Sequence, residues 1–304
     1  MAFNEWALGH EPAVRLGAFF GMFALMAVWE ALAPRRARLL PRRVRWLHNL
    51  ALVALNSLIL RLLFPVAAAG FALLAAERGW GLLNAFDIPF WWAFALSVIA
   101  LDFAIYLQHV LFHAVPMLWR LHRVHHADAD IDVTTGARFH PIEILLSMLI
   151  KFAAIAVLGT PAAAVLAFEV LLNATAMFNH ANLRLHEPVD RWLRWILVTP
   201  EMHRIHHSME VIETNSNFGF NLPWWDRLCG TYRERARLPQ ESMAIGVKGI
   251  TGSDAAVKLT GLLALPFLGA GSAYAIGSKA ESGHEARQRS ARESSPLLKR
   301  RNTP

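Results

Sequence analysis

Residues 89–113 read PFWWAFALSVIALDFAIYLQHVLFH, an apolar run that closes on two histidines, His109 and His113, four positions apart. In lipid such a run has to be helical, because hydrocarbon offers no partner to a backbone N–H or C=O outside its own segment. About 20 apolar residues of helix cross a bilayer core. The stretch from Pro89 to about Leu107 is therefore a full span, with the histidines at its end. Three other regions have the same character. One runs from about Leu16 to Leu32 and stops at Pro34 and an arginine cluster, and one runs from about Leu50 to Leu74 with Pro65 as a kink. The last, about Ile142 to Phe178, is too long for one crossing and is broken at Gly159-Thr160-Pro161. It reads as a helical hairpin, two passes of roughly 17 residues each.

Composition agrees. Of 304 residues, 55% are hydrophobic and 17% charged, which is too apolar for an ordinary soluble domain. The formal charge of +7 does not indicate nucleic acid, because the basic residues gather at Arg35, Arg36, Arg38, Arg42, Arg43 and Arg45 and in the C-terminal tail, beside apolar runs. By the positive-inside rule the arginine segment lies in the cytoplasm, which puts every segment from His109 onward, apart from the hairpin, on the cytoplasmic side. With acidic Glu5 and Glu11 ahead of the first apolar stretch, no cleaved signal peptide is read. The expected fold is all-α, a polytopic transmembrane helical bundle with a cytoplasmic histidine-rich helical cap. We divide the chain into N-terminal transmembrane helices (1–88), a catalytic region containing the hairpin (89–250), and a C-terminal part (251–304). In that last part, residues 255–276 are weakly apolar and fit a span, an interfacial helix or a loose tail. From Ser278 the composition is that of a disordered basic tail.

The single cysteine, Cys229, rules out a disulfide or a thiolate cluster within one chain, so any metal must be held by His, Asp or Glu. Of 14 histidines, eight fall in three clusters: His109 and His113; His122, His125 and His126 in HRVHH; His203, His206 and His207 in HRIHH. Residues three or four apart share a side of a helix, so each cluster offers converging imidazoles. At this histidine frequency one H-x2-HH is expected about 0.03 times by chance in the chain, and it occurs twice. One metal that keeps a position open for reaction seldom takes more than about four protein nitrogens, so eight ligands imply two metals. A redox-inert zinc pair could hydrolyse a substrate, but a close pair at a membrane surface fits oxygen activation better.

The order H-x3-H, HRVHH, HRIHH with hydrophobic hairpins between resembles the fatty acid hydroxylase and sterol desaturase superfamily of integral-membrane non-haem di-iron enzymes. The strings WRLHRVHHAD, RFHPIE, FNHANLRL, TPEMHRIHHS and ETNSNFGFNLPWWDRLCGTY, within about residues 90–235, carry the likeness. The resemblance implies two iron ions, molecular oxygen, electrons from a separate reductase or carrier protein, and hydroxylation or desaturation of a lipid such as a sterol or fatty acyl chain. It carries over the eight clustered histidines as ligands and adds His180 of FNHANL and His140 of RFHPIE. The alternative for His140 is a cap on the hairpin start before Pro141. His186, six residues after His180, has an awkward offset for a ligand, and His10, His48 and His284 read as surface or interfacial.

Around this centre, Asp102 lies seven residues before His109 on the same helical face, with Tyr106 between them. A carboxylate within an apolar span is a functional candidate, expected to accept the distal N–H of a ligand histidine; a structural hydrogen bond is the alternative. Glu169, Asn173 and His180 share a stripe expected to face the substrate cavity. Lys151 and Glu169 lie nine residues either side of Thr160, a spacing that predicts a salt bridge across the hairpin. Asn215, Asn217 and Asn221, with Trp224, Trp225 and Asp226-Arg227, would orient the third cluster, line a lid or anchor at the interface. Arg120 and Arg204, beside ligands, are candidates for a lipid headgroup or an electron-transfer partner. Two rival functions stand beside oxygenation. One is a membrane zinc-dependent hydrolase, with zinc also able to occupy the site in purified material. The other is a metal-transport protein, which would place ligands along a mid-membrane path rather than after span ends.

Overall fold

In this computed structural model, which describes residues 2–64, 66–269 and 274–276, the described residues form helices joined by loops, and their only β contacts are two isolated bridges. The chain begins with α1 (Ala2–Gly9) and α2 (Glu11–Leu32), followed by α3 (Arg42–Leu63), α4 (Ala68–Glu77) and α5 (Phe90–Ala114). Next come α6 (Pro116–His126), α7 (Pro141–Leu158) and α8 (Ala162–Asn179). Five short helices complete it: α9 (Glu187–Leu193), α10 (Pro200–His206), α11 (Val211–Thr214), α12 (Trp224–Leu228) and α13 (Leu259–Ala264). Among the described residues, five units are long and apolar enough to cross a membrane: α2, the α3–α4 stretch, α5, α7 and α8. Their exposed side chains include Leu16, Phe20, Leu25, Leu58, Leu62, Leu96 and Ile99, an apolar exterior suited to lipid.

The expected spans are present with shifted ends. The apolar run of the third becomes α5, whose last turns carry His109 and His113. The second is interrupted, since the chain leaves the helix at Phe64 and resumes at Ala68; the kink placed at Pro65 falls outside the described residues. The hairpin turns at Gly159, where φ is 71° and ψ 43°, and restarts behind Pro161. A Cβ at Gly159 would lie 2.7 Å from the Trp80 carbonyl, so glycine serves both the left-handed turn and the close packing. Packed on by α1, α2, α4 and α5, α8 is the most enclosed of the five.

The arginine segment sits against the loops that follow the histidine clusters. Arg45 is bidentate to Asp128 (2.8 and 2.7 Å) and reaches Asp132 (2.5 Å), all three buried. With Arg45 and Arg138 beside it, Asp128 stays ionised well below the usual carboxylate range, although burial alone would push it up. Glu30, near the end of α2, accepts the backbone N–H groups of Val133 and Asn182 at 2.7 and 2.8 Å. Residues 254–267 form only short turns and α13, too brief to span. With Tyr274 and Ala275 they pack on α6, where Tyr274 stacks on Trp119 at 5.7 Å. The tail from Ser278, including His284, lies outside the described residues.

Candidate metal centre

Four elements bring nine histidines together, each no more than 2% exposed. His109 and His113 come from α5, His122, His125 and His126 from α6, His180 from the C-cap of α8, and His203, His206 and His207 from α10 and its C-cap. Pro116 and Pro200 start α6 and α10, and the Thr199 hydroxyl caps α10 by accepting from the Met202 N–H at 3.2 Å.

The side chains form two groups, within each of which one potential ligand atom per residue lies within 4.8 Å of the others. His109, His113, His122, His126 and His206 make the first; His125, His180, His203 and His207 make the second. Each H-x2-HH motif therefore serves both groups. Adjacent residues project about 100° apart on a helix, so His125 and His126, or His206 and His207, aim at different centres. The i,i+4 partners His122–His126 and His203–His207 stay together.

Hydrogen bonds orient the rings. The Nδ1 atoms of His109, His180 and His206 each donate to a backbone carbonyl, of Phe218, Ala176 and Ser216, all at 2.7 Å. His122 Nδ1 meets Glu143 Oε1 at 2.6 Å and His113 Nδ1 meets Asn215 Oδ1 at 3.1 Å. A carbonyl only accepts, so these contacts place the proton on Nδ1 and leave Nε2 with a bare lone pair. Yet His109 and His122 point their Nε2 atoms at each other across 3.1 Å, and His180 Nε2 faces those of both His125 and His203 at 3.0 Å. The His109 and His122 lone pairs repel unless a cation lies between them, and the single lone pair of His180 Nε2 can accept from only one of its two neighbours. In addition, Nε2 of His113 and His206 and both ring nitrogens of His126 and His207 have no hydrogen-bond partner among the described residues. A set of buried imidazole nitrogens without partners fits two metal ions better than a polar core.

The surroundings keep these rings neutral. Burial pulls His122 and His180 down to about 3, and burial with neighbouring imidazoles pulls His125, His126, His203, His206 and His207 well below the ordinary range. Neutral imidazole is the form that binds metal. Phe139 stacks on His125 at 4.5 Å, Trp119 lies 4.8 Å from His113, and Phe220 lies 4.9 Å from His109, an aromatic shell that excludes water. One side opens into a cavity of about 740 Å³ lined by His109, His122, Phe112, Phe220 and faces of α2, α3, α7 and α8.

Other expected site residues stand elsewhere. His140 is outside both groups; its Nδ1 accepts from the Ile142 N–H at 3.2 Å, capping α7, and its Nε2 meets the Leu263 carbonyl. His186 is exposed at the start of α9. Asp102 does not touch a histidine, because two helical turns separate it from His109 by roughly 10 Å. It accepts instead from Asn221 Nδ2 (2.8 Å), the Leu222 N–H (3.2 Å) and Trp225 Nε1 (2.8 Å), so it holds the loop whose Phe218 carbonyl orients His109. Tyr106 bonds Thr231 at 2.9 Å. Glu169 pairs with Lys151, as the hairpin spacing predicts, and also with Arg15; Asn173 donates to the Glu169 carbonyl. Glu169 and Asn173 thus line the cavity without touching a clustered histidine. Arg204 is buried against Glu201 and Gln240, and Arg120 donates to the Pro266 and Leu268 carbonyls, so both guanidinium groups are engaged within the protein.

One carboxylate escapes the sequence reading: Glu143, within the quoted RFHPIE, orients His122. Asp226, expected to orient a cluster, line a lid or anchor at the interface, accepts the Phe218 and Gly219 N–H groups at 2.7 and 2.9 Å. Burial raises Asp226 to about 6 despite those hydrogen bonds.

Comparison with known proteins converges on the same region. The fatty acid hydroxylase family model matches residues 94–231. The chain is 32% identical over 185 residues to ornithine lipid hydroxylase OlsE of Rhizobium tropici, covering 60% of this chain and 53% of that protein. It is 27% identical over 191 residues to alkylglycerol monooxygenase of Xenopus tropicalis, covering 60% and 41%. The chain thus matches about half the length of these curated relatives. No solved structure gives a significant match. The matched segment contains all nine grouped histidines and lies in a multi-pass membrane protein, a combination that supports the fatty acid hydroxylase and sterol desaturase superfamily for this chain.

Proposed function

We propose that this chain is a membrane-bound di-iron oxygenase that hydroxylates or desaturates a lipid. The observation that carries the reading is the pair of buried histidine groups at one end of a largely apolar cavity among spans. In this reading His109, His113, His122, His126 and His206 hold one iron, and His125, His180, His203 and His207 hold the other. When bound, such a pair supplies activation of molecular oxygen and oxidation of a C–H bond, with electrons from a separate carrier protein. The chain's own part is to fix the rings through Glu143, Asn215 and the carbonyls of Phe218, Ala176 and Ser216, and to keep water out with Phe139, Phe220 and Trp119. The cavity walls place the substrate chain beside the first group. The relatives named above as lipid hydroxylases and monooxygenases support a lipid substrate. The contacts of the arginine segment with the histidine-bearing loops support a cytoplasmic position for the centre.

The deciding experiment purifies the full chain from iron-replete cells, measures metal content, and compares cellular lipids made with the native chain and with His125→Ala under air. The expected result is about two iron per chain, an oxygen-dependent change in a lipid, and loss of both in the variant. Stoichiometric zinc with oxygen-independent turnover would establish the hydrolase instead.

A further inference from the structure

The cavity beside the first histidine group is apolar over most of its wall, yet three buried acceptors on it have no hydrogen-bond partner among the described residues. Asn56, 6% exposed on α3, donates its Nδ2 to the Phe139 carbonyl at 2.8 Å, which fixes the amide orientation and leaves Oδ1 without a partner. Glu143, 4% exposed, spends Oε1 on His122 and leaves Oε2 without one. Both belong to the histidine end, since Phe139 stacks on His125 and Glu143 touches His122. Gln108, the neighbour of His109, adds a buried Oε1 with no partner on the same wall.

The far end is different. There Arg15 bonds Glu11 at 2.8 Å and Glu169 at 2.5 Å, and Lys151 bonds Glu169, so two cations and two anions cancel. Arg61, the remaining cation on the wall, is exposed. Lys151 is eight residues beyond Glu143 on α7, about 12 Å along the axis. The cavity therefore has unspent acceptors next to the histidines and a self-neutralised ionic cluster about a dozen ångströms away. A buried acceptor without a donor carries a desolvation penalty that a ligand donor relieves.

Resting on the oxygenase reading, we infer that the substrate is a lipid with a hydrogen-bond donor, a hydroxyl or amide N–H, beside the carbon to be oxidised. Asn56 and Glu143 receive that donor, and the hydrocarbon tail runs toward the Arg15–Glu169–Lys151 end. Oxidation falls near the polar end of the lipid, not at its tail terminus. Asn56 acts here as a specificity-determining residue.

Two probes with one tail test this: 1-dodecanol, which has a donor, and 1-methoxydodecane, which has only an acceptor. Equilibrium binding to the full-length iron-loaded chain in detergent is measured for both, and the position of any oxygen-dependent product is mapped by mass spectrometry. The alcohol is expected to bind roughly tenfold more tightly or better, to be oxidised close to its hydroxyl, and to lose its advantage in Asn56→Leu. Equal affinities in the native chain, tighter binding of the ether, or oxidation at the tail end would each overturn the inference without touching the oxygenase reading. A binding preference with neither probe oxidised, although iron and reductant are present, would count against the oxygenase reading and leave the donor site standing. The native-chain comparison does not depend on whether the variant folds.

Discussion

Among the described residues, Glu143 is the only carboxylate hydrogen-bonded to any of the nine grouped histidines, at 2.6 Å from His122 Nδ1. An acceptor of this kind sets the tautomer and raises ligand basicity, and its loss typically costs 10–100-fold in metal affinity or activity. Glu143→Gln is therefore expected to retain the fold but to lose iron roughly 10–100-fold more readily in a chelator titration. Unchanged iron retention would show that the contact does not tune the centre. His140, three residues away, makes the opposite prediction. Its imidazole caps α7, so His140→Ala should keep its iron while losing about 0.5–2 kcal/mol of stability, read as a lower unfolding midpoint in detergent. Iron loss in that variant would return His140 to the centre. The two residues also show why the sequence exposes some parts of a site better than others. Asp102 stands out because it interrupts an apolar run, yet two helical turns keep it from the histidines. Glu143 sits in the first turn of a helix, where an acidic residue is ordinary on dipole grounds alone, so nothing marks it as an imidazole partner.

At the scale of elements, the hairpin is the best example of what local pattern can reveal. Gly159-Thr160-Pro161 marks the turn, and equal spacing about Thr160 pairs Lys151 with Glu169. The third member, Arg15, was not visible, because it comes from α2 at a separation of 154 residues that no periodicity records. Glu169 thus ties α2 to both arms of the hairpin. Removing it leaves the largely buried Lys151 without its carboxylate and Arg15 with Glu11 alone, and breaking a buried pair costs roughly 3–5 kcal/mol. Glu169→Leu should accordingly lower the unfolding midpoint more than Lys151→Met, which leaves Glu169 paired with Arg15. The double variant should recover part of the loss. Equal midpoints for Glu169→Leu and the native chain would mean that apolar packing alone holds α2 to the hairpin.

For the whole molecule, the number of spans and the gathering of histidines could be read from hydropathy and from two repeated motifs. The division of nine rings into groups of five and four could not, because it depends on how α5, α6, α8 and α10 rotate against one another. The arginine segment shows the same limit. Arg35, Arg36 and Arg45 reach Glu201, the Gln240 and Met243 carbonyls, and the Asp128–Asp132 pair, respectively. In the folded state these side chains bind the loops around the histidine clusters, and only Arg38 and Arg43 of the segment remain exposed. Their charge can still set orientation during insertion, before those contacts form. The arginine segment and the centre must then share a side, with the loop between α4 and α5 on the other. Two single-cysteine chains in a Cys229→Ser background separate the possibilities. One carries Arg235→Cys, at an exposed position after α12, and the other Asp87→Cys, at an exposed position of the α4–α5 loop. With a membrane-impermeant maleimide, Asp87→Cys should react in intact cells, and Arg235→Cys only after permeabilisation. The reverse pattern would place the centre outside the cell, beyond the reach of cytoplasmic electron carriers. Labelling of both in intact cells would mean that the two loops share a face, which an odd number of crossings between them forbids.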